Sequence, residues 1–137
     1  MFALFVPAQA FLLPDVLAEQ YKLIITLTNA VRQDKGLKPL VMAPQLDSSA
    51  TAKVEDMARY SYFSHSGPQD RTLSFFLHRA GYPYEVAGEN LAMGFADAPA
   101  VVNAWIKSPG HYANLIDQDY RELGVGLESG SYSGEPT

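Results

Sequence analysis

Two histidines and one glutamate stand in short segments marked by glycine or proline. These are His65 within residues 63–68, Glu89 within 87–92 and His111 within 108–115. Imidazole has the side-chain pKa nearest neutrality and is the commonest metal ligand in proteins. Two histidines and a carboxylate can therefore build an acid–base site or a cation site, provided that the fold brings them together.

The composition sets limits on what the chain can be. With 137 residues, 47% of them hydrophobic, it suits one compact domain with its own core. It has no cysteine, which excludes disulfides, thiolate zinc sites and a cysteine nucleophile. A net charge of -5 without a Lys/Arg cluster argues against nucleic acid and anionic membrane surfaces as partners. The sequence contains no stretch of membrane-spanning length and so predicts no transmembrane segment.

Residues 1–13 are open to two interpretations. Residues 2–6 are apolar, and Ala8, Gln9 and Ala10 have the small-x-small form of a signal-peptidase site. The apolar run is short for a signal and no basic residue precedes it, so we favour an apolar arm that packs on the domain over a signal remnant. The domain itself is predicted to cover residues 14–137.

Helical spacing of apolar residues predicts five helices. Their predicted starts are Asp15, Pro44, Thr72, Asp97 and Pro109. Stop signals follow the first and third, with glycine or proline soon after the last apolar position, and the second is predicted to end near Tyr62. These helices account for most of the chain, and they place His111 in the first turn of the fifth.

Ser108 precedes Pro109, a pair that ends one helix and begins the next. We expect the Ser108 hydroxyl to accept a backbone N–H from Gly110 or His111 as a helix cap. This context explains the serine better than a role as catalytic nucleophile, since the sequence has no nucleophile-elbow motif. The amides of the first turn disfavour a charged imidazole at His111, whereas a nearby Glu89 would favour one.

Two strands are predicted, over residues 86–93 and 122–128. Gly124 and Gly126 alternate with apolar residues in the second, which leaves one face of the sheet open to close approach by a ligand or a helix. The loop-like residues 129–136 would normally lead into another strand. We therefore expect the edge of the second strand to be covered by the N-terminal arm or by a second molecule, as an edge-strand dimer contact.

Five motifs in one order suggest a family: His65 after a helix, Gly88 to Leu91, Trp105, Gly110 with His111, and Glu122 to Gly126. They resemble the superfamily of cysteine-rich secretory proteins, antigen 5 and pathogenesis-related proteins (CAP), in its bacterial SCP-like form. The resemblance runs from about Leu23 to Gly126. It implies an α+β fold, a three-layer α-β-α sandwich around a small antiparallel sheet, whose last strand is missing from this sequence.

The resemblance also implies a cleft lined by His65, Glu89 and His111, with Ser108 where animal members have a second acidic residue. It favours a secreted or cell-envelope-exposed protein whose cleft binds an extracellular small molecule, lipid, glycan or peptide. No cofactor is required, although His65, His111 and Glu89 could hold a weakly bound divalent cation such as zinc.

The alternative is a cation-assisted hydrolase acting on peptide or cell-wall material. Ser108 weakens this alternative, because serine cannot replace a carboxylate as a base or an anionic ligand. The sequence leaves open whether the protein is an enzyme.

Overall fold

The computed structural model describes residues 2–7 and 14–128, with side chains from residue 14 onward. The α-helices are α1 (Pro14–Asp34), α2 (Pro44–Tyr60), α3 (Leu73–Arg79), α4 (Ala98–Lys107) and α5 (Pro109–Leu115). The strands are β1 (Phe2–Pro7), β2 (Val41–Met42), β3 (Glu89–Asn90), β4 (Met93–Phe95) and β5 (Glu122–Leu127), and a short 3-10 turn covers Pro68–Asp70. Helices and short strands are thus mixed along the chain.

The helix boundaries follow the local signals in the sequence. Helix α1 ends two residues before Gly36, which has a φ of +70°. Pro44 is the first residue of α2, where its missing N–H costs no hydrogen bond. The Asp97 side chain accepts the N–H of Ala100 at 3.0 Å and caps α4. The five predicted helices are therefore confirmed.

The sheet has the order β2-β5-β1-β3. Strand β4 also pairs with β1, at Val6 and Pro7, whereas β3 pairs at Phe2 and Ala3. All strand pairs within residues 2–7 and 14–128 are parallel, so the expected antiparallel pairing is wrong for this part of the chain. The expectation assumed a last strand that follows β5 and returns beside it. Instead β1, from the opposite end of the sequence, lies next to β5 and runs in the same direction.

The N-terminal segment therefore covers the edge of β5, as one of the two expected arrangements. It pairs with β5 from Phe2 opposite Gly124 to Phe5 opposite Leu127, and with β3 through Phe2 and Ala3. The small-x-small motif at Ala8 and the loop at 129–136 lie outside the described residues. The division of the chain at residue 13 and the dimer contact stay predictions.

The predicted strand over residues 86–93 is only partly present. Residues 86–88 are not in a strand, and residues 91 and 92 separate β3 from β4. Leu91 and Ala92 are both buried, Leu91 in the cluster with α2 and Ala92 in the cluster with α1 and α4. The strand predicted at residues 122–128 is confirmed as β5.

Two hydrophobic clusters lie on opposite faces of the sheet. One joins α1, α4 and α5 to β5 and includes Ile24, Trp105, Leu115, Leu123 and Val125. The other is built on α2 and α3, from Leu46, Ala50, Val54, Met57 and Leu77. The α+β class and the three-layer sandwich are therefore confirmed.

Helix α2 lies unusually close to β5. A Cβ atom added at Gly126 would lie 2.5 Å from the carbonyl carbon of Ala50, and one at Gly124 would lie 2.5 Å from the carbonyl oxygen of Leu46. The alternating glycines therefore serve the approach of a helix, one of the two predicted uses. This contact fixes the position of α2 and of the loop that leaves it.

A buried arginine fixes α5. The Arg32 side chain is 1% exposed and donates to the carbonyl oxygens of Lys38, Leu115, Asp117 and Tyr120. These bonds tie the end of α1 to the segment between α5 and β5. They satisfy the buried guanidinium, which contacts no carboxylate among residues 14–128.

Candidate functional site

His65 and Glu89 form a contacting pair. His65 lies in the loop after α2, and its Nδ1 is 2.7 Å from Oε1 of Glu89, the first residue of β3. The His65 side chain is 63% exposed, whereas that of Glu89 is 3% exposed. A carboxylate that accepts Nδ1–H fixes the tautomer and leaves Nε2 as an acceptor. A buried carboxylate thus orients an exposed imidazole.

Opposing effects act on the pKa of Glu89, and burial is the largest of them. Burial raises the pKa of Glu89, while the hydrogen bond from His65 and the charge of Lys53 act in the opposite direction. Its second oxygen, Oε2, is buried and has no hydrogen-bond partner among the described residues. The carboxylate therefore depends on His65 and Lys53 for compensation.

Lys53 is a buried cation beneath this pair. Its Nζ donates to the main-chain oxygen of His65 at 3.0 Å and lies 5.1 Å and 5.3 Å from the ring centroids of Tyr62 and Phe76. Burial lowers the pKa of Lys53, and the charge of Glu89 opposes this shift. Sequence reasoning missed this residue. A signal existed, because Lys53 lies three residues after Ala50 and four before Met57, on the buried stripe of α2.

His111 lies in the first turn of α5, as predicted. Its ring stacks on the buried Trp105, with centroids 6.5 Å apart and an angle of 27° between the rings. Burial lowers the pKa of His111, and the charge of His65 lowers it further. The neutral form is favoured, which is one of the two opposing directions that the sequence left open, with burial as the main cause.

Ser108 occupies the N-cap position, with extended backbone, but the predicted cap bond is wrong. Its hydroxyl does not accept a backbone N–H and instead bonds to Nδ1 of His111 at 2.8 Å. The side chain three residues after an N-cap is within reach of it, and here the ring competes successfully with the backbone. Ser108 and His111 therefore form a second contacting pair.

An asparagine network joins the two pairs. Asn90, next to Glu89 on β3, donates to the main-chain oxygen of His111 at 3.1 Å. Asn114 on α5 donates to the side chain of Asn90 at 2.8 Å and to the main-chain oxygen of Glu89 at 3.2 Å. These bonds hold β3 against α5. Sequence reasoning missed both asparagines as bridging residues.

Gly88 shows why glycine precedes the glutamate. A Cβ atom there would lie 2.7 Å from Oδ1 of Asn114 and even closer to the hydroxyl of Tyr120. The asparagine network can therefore approach β3 only because residue 88 lacks a side chain.

The donor types of His65, His111 and Glu89 suit zinc, but their arrangement does not. Within residues 14–128, no group of three or more His, Asp or Glu side chains is placed to hold a metal ion. Nδ1 of each of these two histidines is already hydrogen-bonded, to Glu89 and to Ser108 respectively.

A separate cavity of about 240 Å³ lies beside Gly88. Its lining includes Tyr82, Tyr84, Gly88 and Tyr120, and it contains neither site histidine nor Glu89. The paired residues thus lie outside this cavity, on a partly exposed surface at the ends of α2 and α4.

A small sheet between two helical layers, with a histidine–glutamate pair at one strand, defines an SCP-type α-β-α domain. Residues 25–135 match the Cysteine-rich secretory protein family, CAP. The chain belongs to this family, and the resemblance seen in the sequence is confirmed.

Bacterial proteins are similar to this chain. It is 40% identical to YkwD of Bacillus subtilis (strain 168) over 119 residues, which are 86% of the chain and 46% of YkwD. An extracellular protein containing an SCP domain from Bacillus anthracis str. Ames has a similar crystal structure, with a TM-score of 0.81 and 32% identity, covering 88% of this chain and 42% of that one.

A cysteine-rich secretory protein from Staphylococcus aureus subsp. aureus Mu50 is also similar, with a TM-score of 0.71 and 25% identity, covering 81% of this chain and 36% of that one. The chain thus spans less than half the length of these relatives. Among the helices of residues 14–128, none combines the length and apolar character needed to cross a membrane.

Proposed function

We propose that the surface around His65, Glu89 and His111 binds an extracellular ligand, and that the protein is secreted or exposed on the cell envelope. The observation that carries this proposal is the exposed imidazole of His65 held by the buried carboxylate of Glu89. Burying a carboxylate is costly, and a mostly exposed partner returns little stability. A side chain that is fixed and yet exposed suits ligand recognition.

The same geometry favours a ligand with hydrogen-bond donors. When Glu89 accepts Nδ1–H of His65, Nε2 of that ring is an acceptor. Hydroxyl, amide and ammonium groups satisfy the Nε2 acceptor of His65, whereas a hydrocarbon tail does not. Among the candidate ligands we therefore favour a glycan or peptide over a lipid.

Soluble peptidoglycan fragments, which carry both sugar hydroxyls and peptide amides, are a suitable probe. We expect saturable shifts in two-dimensional NMR spectra of the wild-type protein, and affinity at least about tenfold lower in His65→Ala and His111→Ala. His78→Ala is the matched control, because His78 is exposed on α3. Equal affinity in all three variants, or no saturable shift in the wild type, would contradict the proposal.

The proposal includes at most a weakly bound divalent cation. Titration calorimetry with zinc alone provides the test, and we expect no one-to-one binding of submicromolar affinity. A single submicromolar site that His65→Ala and His111→Ala both abolish would instead support the cation-assisted function.

The hydrogen bond between Ser108 and His111 favours a hydrolase as a second candidate. A hydroxyl 2.8 Å from an imidazole nitrogen has the spacing of a nucleophile and its base. Ser108 Oγ would bond to an acyl carbon and pass its proton to His111 Nδ1, which would then protonate the departing group. Water would hydrolyse the acyl-serine. No described carboxylate bonds to His111, so binding remains the first candidate.

A fluorophosphonate probe tests the hydrolase, because it forms a covalent adduct with activated serines. Peptide mass spectrometry would locate one adduct on Ser108, and His111→Gln would abolish it. Ser74, which bonds to Tyr84, is an internal control that should stay unlabelled. An unlabelled Ser108 would contradict the hydrolase and leave ligand binding as the remaining candidate function.

A further inference from the structure

Lys53 is a buried cation that no carboxylate of residues 14–128 contacts. Its side chain is 0% exposed, yet the ion pairs among the described residues are His65 with Glu89 and Arg71 with Asp56. Lysine is almost never fully buried unless it is paired. Its presence on the core stripe of α2 therefore requires an explanation beyond packing.

The contacts of Lys53 converge on His65. The ammonium binds the main-chain oxygen of His65 at 3.0 Å, while the imidazole of the same residue binds Glu89 at 2.7 Å. Tyr62 and Phe76 present their rings to the ammonium and shield it from water. His65 is thus held at both ends, by a cation at its backbone and by an anion at its ring.

The loop does not need Lys53 simply to close. The N–H of Tyr62 bonds to the oxygen of Met57 at 3.1 Å, and the N–H of Gly67 bonds to the oxygen of Arg71 at 3.0 Å. These backbone bonds anchor the loop on both sides of His65. What they do not supply is positive charge for Glu89, whose buried Oε2 has no donor within the described part of the chain.

We propose that Lys53 is a positioning residue of the ligand site: it holds the main chain of His65 and balances the buried charge of Glu89. The His65 ring is then fixed with Nδ1 toward Glu89 and Nε2 available to a ligand. The inference rests on the proposed function for the use of Nε2. The positioning itself can be measured without any ligand.

NMR of protein labelled with 15N-histidine tests the positioning. In the wild type we expect the neutral His65 ring to carry its proton on Nδ1, which faces Glu89, and to leave Nε2 unprotonated. In Lys53→Met they should shift toward the tautomer mixture of the exposed His78, and Lys53→Arg should restore most of the wild-type pattern. Lys35→Met, at an exposed lysine after α1, is the matched control and should change nothing. A folded Lys53→Met protein with wild-type His65 signals would overturn the inference.

A second measurement covers the case in which Lys53→Met does not fold. The double variant Lys53→Met/Glu89→Gln removes both buried charges, and we expect it to regain the cooperative urea transition that Lys53→Met alone would lack. A double variant that is also unfolded would show that the two charges are not coupled and would overturn the inference. If the His65 signals respond as expected but peptidoglycan fragments do not bind the wild type, the proposed function fails and the positioning role stands.

Discussion

Replacing Gly126 by alanine should push α2 away from the sheet. The added Cβ atom would lie 2.5 Å from the carbonyl carbon and oxygen of Ala50 and 2.7 Å from the nitrogen of Thr51. Carbon atoms in good contact are ~3.5 Å apart, so α2 must move by roughly 1 Å. All three atoms belong to the helix backbone, and no side-chain rotation can relieve the clash. Gly126→Ala should therefore cost about 3 kcal/mol, at the upper end of ordinary overpacking.

Urea unfolding and thermal melting measure this cost directly. A loss of about 3 kcal/mol corresponds to a fall in Tm of roughly 10 °C for a domain of this size. Gly110→Ala is the matched control, because a Cβ atom at this helical position meets nothing within 4 Å. Its expected effect is a gain of up to about 1 kcal/mol.

The same movement should disturb the site, since α2 also carries Lys53. The His65 NMR signals of Gly126→Ala should shift in the same direction as those of Lys53→Met, and those of Gly110→Ala should not. A Gly126→Ala protein as stable as the wild type would refute the close approach of α2 to β5, on which this reasoning depends.

Three further predictions concern charge and capping. Protonation of a stacked imidazole quenches indole fluorescence, and His111 stacks on Trp105. Because the pKa of His111 is lowered, a pH titration of Trp105 fluorescence should have its midpoint below pH 6.5. A midpoint at or above pH 6.5 would contradict this. Burial raises the pKa of Glu89 above 4.5 in the folded protein. The protonated carboxyl therefore stabilises the fold below pH 4.5, and this stabilisation is lost as pH rises through the folded pKa. Glu89→Gln should remove this loss from urea midpoints measured across pH. Asp97→Ala should cost about 1 kcal/mol in urea unfolding, whereas Ser108→Ala should cost clearly less, because only Asp97 makes a cap bond.

The helices could be predicted because their signals are local. Pro44 begins α2, Asp97 caps α4, and the pair of Ser108 and Pro109 separates α4 from α5. Each signal acts on the backbone within a few residues of itself. The alternating glycines of β5 were also informative, since a missing side chain on one sheet face has few other uses.

The contacts within the site were less accessible to sequence reasoning. The Ser108 hydroxyl had two partners within reach, a backbone N–H and the His111 ring, and the sequence contains nothing that decides between them. Lys53 occupies a buried position that spacing assigns to the core, yet its charge made a solvated position the natural expectation. Its burial makes sense only beside Glu89, which is 36 residues away in the sequence.

The position of the N-terminal strand illustrates the same limit at the level of the fold. Residues 2–7 are apolar in a way that suits a packed arm as well as a signal remnant, and neither interpretation specifies a pairing direction. Only the tertiary structure shows that β1 separates β5 from β3 and pairs with both. Phe2 of β1 lies opposite Gly124 on one side and Glu89 on the other. The backbone of β1 therefore links β5, which packs against α2, to β3, which carries Glu89. The orientation of the exposed imidazole of His65 thus depends on α2 through Lys53 and on β1 through Glu89.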